Sequence, residues 1–311
     1  MEIGLVHHDR RSSVEGLFGQ ELPISLLKAD ILAESLTPEA TPHRTAMAET
    51  FHPTHLKLHH GTASNDELIA LCADPAHEVI GGEPYGNQVV RISDEAVVKF
   101  GIGVKEEEAK NQSAAYELLD RNFVRVPRVY RFFIYKTCGY IVMEHINGSV
   151  FDRLEDPDSI AITARILDYF STIRNDRPGP LGGGVSRGLL WPDNEDLSFD
   201  TVEHMEDFLN SRISREPGRL ALRGYDLVLC HLDIAPRNIL VLEDGSVCLI
   251  DWASAGFYPR FFEFCIQWIN MDKDGKFNRI LADSMKSLSE AESVQMWTLM
   301  AAWRNMQRYY L

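Results

Sequence analysis

The residues best suited to chemistry lie between Leu227 and Trp252, in the run L-V-L-C-H-L-D-I-A-P-R-N-I-L-V-L-E-D-G-S-V-C-L-I-D-W. It contains an imidazole (His231), a carboxylate (Asp233), an amide (Asn238) and a second carboxylate (Asp251). An amide oxygen and a carboxylate make hard oxygen donors, the kind that suits Mg²⁺ with several waters retained. Asp233 stands in a loop made irregular by Pro236, where a further acid can face whatever such a metal carries.

Two apolar runs, Ile239–Leu242 and Val247–Ile250, flank Glu243-Asp244-Gly245-Ser246, and the Asp-Gly pair is a hairpin signal. If Leu242 faces Val247 across that turn, Asn238 falls opposite Asp251. Opposed residues on paired strands hold their Cβ atoms about 5 Å apart, which brings the two donors to one cation.

A second group stands far upstream. Glu95-Ala96-Val97-Val98-Lys99-Phe100 reads as a strand with a lysine inside it, and an ammonium beside a core wants an anionic partner. A helix is expected to start near Lys105, since Glu106, Glu107 and Glu108 suit the positive end of its dipole. Ala109, Ala115, Leu118 and Leu119 supply its inward face. Before Lys99, Glu78–Gly81 and Gln88–Ile92 read as strands around Gly82-Glu83-Pro84-Tyr85-Gly86, a glycine-containing turn that lacks G-x-G-x-x-G. After the helix, Val129–Tyr135 and Gly139–Glu144 read as two more strands.

The pattern His231-x-Asp233-x4-Asn238, a hairpin, then Asp251 resembles the catalytic core of protein-kinase-like phosphotransferases. Proline before the Asn, and Asp-Trp in place of Asp-Phe-Gly, are similar to the aminoglycoside phosphotransferase and choline kinase branch. The stretches V-V-K-F-G, V-R-V-P-R-V-Y and A-P-R-N-I-L look most like fungal kinase-like members of that superfamily. The resemblance spans about residues 77 to 265. It implies an α+β, bilobal fold: a small antiparallel sheet with one helix, then a mostly helical lobe.

It also implies roles. Asp233 would orient or deprotonate an acceptor hydroxyl, with His231 bracing the loop; Asn238 and Asp251 would hold Mg²⁺. Lys99 would grip the phosphates of ATP. A glutamate on the following helix would pin that lysine, Glu108 by choice and Glu107 as its near competitor. Main-chain groups of Glu144 and Ile146, with Met143 beside them, would contact the adenine. An acid such as Glu263 would hold the loop of Trp252–Cys265 against the lower lobe. The implied reaction moves the γ-phosphoryl group of ATP to a hydroxyl of a small molecule. One departure stands out: Leu232 occupies a position that is usually glycine in that branch. Together with the weak glycine turn at residues 82–86, it motivates a non-catalytic nucleotide-binding or scaffold protein as the alternative. A protein kinase is a further alternative, opposed by the missing Asp-Phe-Gly and A-P-E segments.

Residues 1–75, broken by Pro23, Pro38, Pro42 and Pro53, are expected to form an N-terminal extension. Residues 76–145 would be the nucleotide-binding lobe, and 146–311 the lobe carrying the catalytic loop, metal site and acceptor site. In the latter, Ile160–Ile173, Thr201–Ile213, a stretch around Met285 and Val294–Tyr310 read as helices, while Pro178 to Ser198 reads mostly as loop. His52, His55 and His59 stand at helical spacing but read as an exposed polar face. Asn270–Gly275 imitates half of a calcium loop and fails at Leu281, where an acid is required.

The 311 residues, 45% apolar and 25% charged, are ordinary for a globular protein with a sizeable core. A formal net charge of −15 argues against a nucleic-acid partner and permits a cationic acceptor. Five sparse cysteines without C-x-x-C spacing read as free thiols of a reducing compartment. With neither a signal-peptide core nor a membrane-length apolar run, a cytoplasmic protein is the expectation, and no membrane partner.

Overall fold

Strand alternation around Lys99 organises the small lobe of the computed structural model. The described residues are 57–77, 79–83, 85–151, 157–192, 195–213 and 218–308, all within one compact unit, Pro53–Leu311. Five antiparallel strands, β1 (Val79–Gly82), β2 (Gln88–Arg91), β3 (Ala96–Gly101), β4 (Val129–Tyr135) and β5 (Cys138–Glu144), form a sheet in the order β1-β2-β3-β5-β4. Successive side chains on a strand point to opposite faces. Ala96, Val98, Tyr140 and Val142 accordingly pack with Leu68 and Leu71 of helix α1 (Asn65–Ala73). Val97, Ile141 and Met143 pack instead with Ala109 of helix α2 (Glu106–Leu118). Lys99 is two residues from Val97, so it must face α2.

Helix α1 starts in a capping box, Ser64 with Glu67. Leu58 N–H donates to Ile92 O, and Arg131 donates to Asn65 Oδ1 and to the carbonyls of His60 and Ala63. The small lobe therefore reaches upstream of residue 75, where the sequence places a boundary; residues 1–56 of the expected extension lie outside the described residues.

The large lobe contains β6 (Gly148–Val150), α3 (Pro157–Phe170), β7 (Arg174–Asn175), β8 (Gly179–Pro180), α4 (Val202–Ser211), β9 (Leu227–Cys230), β10 (Ile239–Leu242), β11 (Val247–Leu249), β12 (Gly256–Pro259), α5 (Phe261–Ile269), α6 (Met271–Ser284) and α7 (Glu290–Arg308). Its two small sheets run β11-β10-β6 and β7-β9-β12-β8. The second holds β9 and β12 side by side, which fixes the Asp233 loop leaving Cys230 next to the segment entering Gly256. Beneath them lies an aromatic core that includes Phe170, Trp252, Tyr258, Phe261, Phe262 and Phe277.

Two details depart from expectation. The Pro178–Ser198 stretch is not a detached loop: Gly179–Pro180 joins a sheet, and Ser186, Leu190 and Trp191 are buried. The helix placed around Met285 comes earlier, with Met285 as the residue after its end. That helix includes Met271–Gly275, which leaves the calcium-like half-motif no open loop. The five cysteines are free, and no helix among the described residues is long and apolar enough to cross a membrane.

Candidate active site

Lys99 Nζ lies 2.6 Å from Glu108 Oε1 and 3.2 Å from Asp251 Oδ2, with the lysine side chain 11% exposed and the glutamate 3%. This decides between the two helix acids. Glu107, one position round the helix, lies 3.9 Å from Arg187 instead. Burial works against the lysine's charge, but Glu108 and Asp251 overcome it and hold the ammonium above the ordinary lysine value. Burial would likewise raise the Asp251 carboxyl; Lys99 more than offsets this and keeps it below the usual range. Glu108, the deeper of the two, is pushed up to about 7 by burial, which Lys99 only partly opposes. One ammonium thus serves two acids, and the more open one is the better anion.

Asp251 reaches the lysine by a route different from the expected one. The hairpin pairs Ile239 with Leu249, Leu240 with Cys248 and Val241 with Val247. Leu242 N–H donates to Ser246 O at 2.9 Å, and Gly245 takes a φ of 80°. The turn therefore spends three residues rather than four, with its glycine in the left-handed region. Leu242 faces Ser246, not Val247, and Asn238 is joined to Ile250, not Asp251, through Ile250 N–H donating to Asn238 O at 3.0 Å. Asp251 follows with a φ of 63°, a left-handed backbone unusual outside glycine, which turns the chain out of the strand.

Upstream, Asn238 Nδ2 donates to Asp233 Oδ2 and to Asp233 O, both at 2.8 Å. The amide nitrogen is committed to the acid, which leaves Asn238 Oδ1 as the group available to a cation. Arg237 Nη2 donates to the other carboxylate oxygen, Asp233 Oδ1, at 2.7 Å. Burial, with a smaller push from the like charge of Asp251, raises Asp233 to about 6 against the pull of Arg237 and Asn238.

The backbone of this loop is held from below. Glu263 Oε2, in the first turn of α5, accepts from His231 N–H at 2.8 Å and Leu232 N–H at 3.0 Å. Leu232 has a φ of 60°, the left-handed conformation that explains why glycine suits this position elsewhere. Here the leucine side chain is buried in the core, which compensates for the backbone strain. His231 is fully buried, with its ring centroid 4.7 Å from that of Trp252. Neither ring nitrogen has a hydrogen-bond partner of ordinary geometry, and burial pushes the imidazole down to about 4, slightly opposed by Asp251 and the Ile250 backbone. It acts in this structure as a neutral aromatic wedge.

Met143 and Ile146 are buried at and just beyond the end of β5. Glu144 accepts from Arg125 Nη2 and from Arg128 N–H through its side chain, while its own N–H donates to Arg128 O. His52 and His55 lie outside the described residues. His59 stacks on His60 with rings 21° apart, and one ring nitrogen of each lies with a Glu95 carboxylate oxygen in a group whose atoms are all within 4.8 Å of one another.

Sequence reasoning passed over two residues. Arg237 carried a signal, being a cation four residues after Asp233 in the same loop. Asn111 carried none beyond lying one turn after Glu107 and Glu108. Its Nδ2 donates to Trp252 O (3.0 Å) and Ala253 O (3.3 Å), and its Oδ1 accepts from Gly182 N–H (2.8 Å). It ties α2, the segment after Asp251 and the glycine-rich stretch together at one buried point.

The fold is that of a bilobal kinase-like protein. The model of the phosphotransferase enzyme family matches residues 79–296, and the chain belongs to that family. Among solved structures it is similar to a thermostable mutant of aminoglycoside phosphotransferase APH(4)-Ia in a ternary complex with ADP and hygromycin B. The two share 10% identity at a TM-score of 0.54, over 78% of this chain and 88% of the other. The apo form of a thermostable mutant of the same enzyme gives 13% identity and a TM-score of 0.51, over 78% and 89%. Choline kinase from Streptococcus pneumoniae gives 16% and 0.41, over 78% and 90%. No curated protein sequence matches this chain.

Proposed function

We propose that this chain moves the γ-phosphoryl group of ATP to a hydroxyl of a small molecule, with Mg²⁺ as the companion ion. The observation that carries the proposal is the meeting of two acids on Lys99, one from α2 and one from the residue after the catalytic hairpin. An ammonium shared in this way is rigid and directed, which suits it to a phosphate oxygen. The oxygen donors fit the metal: Asp251 is kept ionised, and Asn238 presents an amide oxygen because its nitrogen is committed elsewhere. When bound, Mg²⁺ would neutralise charge on the phosphates. Asp233 would align the acceptor hydroxyl. As the acceptor oxygen bonds to the γ-phosphorus, its proton passes to Asp233, and the bond from that phosphorus to the ADP oxygen breaks. The carbonyl of Glu144 and the amide of Ile146 would read the adenine, with Met143 beside it.

Leu232 and the weak glycine turn at residues 82–86 motivate a binder without catalysis. The first of these loses force, because the leucine adopts the left-handed backbone that a glycine would supply there. Calorimetry tests the nucleotide half of the reading. Replacing Asp251 with Asn should weaken Mg²⁺–ATP binding by about tenfold or more, the scale of a lost charged ligand. Unchanged affinity would show that Asp251 holds no metal.

A further inference from the structure

We infer that the acceptor carries an anionic group, a carboxylate or a phosphate, and that Arg237 binds it. The inference rests on the phosphotransfer reading above and goes on to the class of acceptor.

The argument begins with the two oxygens of Asp233. Asn238 holds Oδ2 at 2.8 Å, so Oδ1 is the oxygen left to meet an acceptor hydroxyl. That oxygen is engaged by Arg237 Nη2 at 2.7 Å. The guanidinium is also ion-paired with Asp274, whose Oδ2 lies 3.6 Å from Nη1, beyond hydrogen-bond distance. Asp274 sits where helix α6 kinks, at φ −127° and ψ 40°. The guanidinium thus bridges the Asp233 loop and α6, half exposed at 52%. It has five N–H donors, and one of them is committed in the hydrogen bond to Asp233.

A planar cation in this position matches a carboxylate or phosphate in a paired hydrogen-bonding geometry. Such a group would draw Arg237 from Oδ1 and free that oxygen for the hydroxyl next to it. An ammonium-bearing acceptor would instead meet the guanidinium head-on and leave Asp233 engaged. An anionic acceptor would thus be favoured over the cationic one that the acidic composition permits.

The full-length chain can be tested with two matched sets: glycerol, serinol, glycerate and glycerol phosphate; and glucose, glucosamine, gluconate and glucose 6-phosphate. ADP release with Mg²⁺–ATP gives relative kcat/KM, and calorimetry with Mg²⁺ and a non-hydrolysable ATP analogue gives relative affinity. The expected result is a preference of about tenfold or more for anionic members over their neutral and cationic counterparts, the scale of a charge-assisted hydrogen bond. The carboxylate and phosphate arms separate the two anions. In Arg237→Ala that preference should collapse, and Arg237→Lys should restore part of it. Taking the ratio within each variant cancels any general effect on Asp233. Overturning results are equal use of all members, preference for the amines, no discrimination in binding, or an equal fall for all members in Arg237→Ala. Should no compound, water included, elicit ADP release, the phosphotransfer reading itself fails, while the calorimetric preference still decides the acceptor class.

Discussion

Replacing Glu263 with Gln isolates the energetics of the support beneath the Asp233 loop. The carboxyl is fully buried, accepts two backbone N–H groups through Oε2, and has no partner at Oε1. Burial raises it from the ordinary 4.5 to about 7, opposed by the two N–H groups. A raised acid is stabilising in its neutral form: its contribution is complete below pH 4.5 and is lost as pH climbs through about 7. At ~1.4 kcal/mol per pH unit, that span amounts to about 3 kcal/mol. Glutamine keeps an acceptor oxygen for both N–H groups and cannot ionise. Buried His231 contributes with the opposite sign, its stabilisation present above about 6.5 and lost as pH falls through about 4, but it is common to both proteins. In urea titrations at several pH values, the stability of Glu263→Gln minus that of the wild type should therefore rise by about 3 kcal/mol between pH 4.5 and 7. Glu263→Ala should lose about 2–6 kcal/mol at every pH, because two buried N–H groups are orphaned. A difference between Gln and wild type that is flat with pH would refute the assignment of a neutral, buried acid beneath this loop.

Two further outcomes follow from the geometry. Asn111→Leu leaves Trp252 O and Gly182 N–H without their partner, and should cost about 2–5 kcal/mol by thermal unfolding. It should also raise KM for ATP more than it lowers kcat, because α2 and Asp251 lose their common tie; equal effects on both would reduce Asn111 to a packing residue. With Asp233 raised to about 6 by burial, kcat/KM should climb as pH passes about 6, when the carboxylate forms. A flat profile between pH 5 and 8 would mean that this carboxyl does not act as a base.

The lobes were legible because their signals are local and periodic. A lysine between Val98 and Phe100 announced a strand with one charged position on a buried face, and three glutamates announced the start of α2. Sequence favoured Glu108 over Glu107 but left the two as close competitors. Adjacent helical residues differ by only about 100° of rotation, and the choice depends on how α2 lies against the sheet. The hairpin was visible, yet its register was not: a single glycine at positive φ shortens the turn by one residue and shifts every opposed pair. Asp251 then regains the site by a left-handed backbone of its own, which no periodicity encodes. Helix α1 was missed as part of the small lobe because its partners, Val98 and Val142, lie far along the chain. Asn111 was invisible for the same reason.

The most direct measurement is turnover by Asp233→Asn with whichever hydroxyl compound releases ADP fastest from the wild-type chain. The substitution keeps the size and an acceptor oxygen for Asn238 but removes the base. It should lower kcat by about 10²–10⁴-fold while nucleotide affinity stays within about twofold. Near-normal turnover would contradict the role given to this loop, and with it the phosphotransfer account of the site.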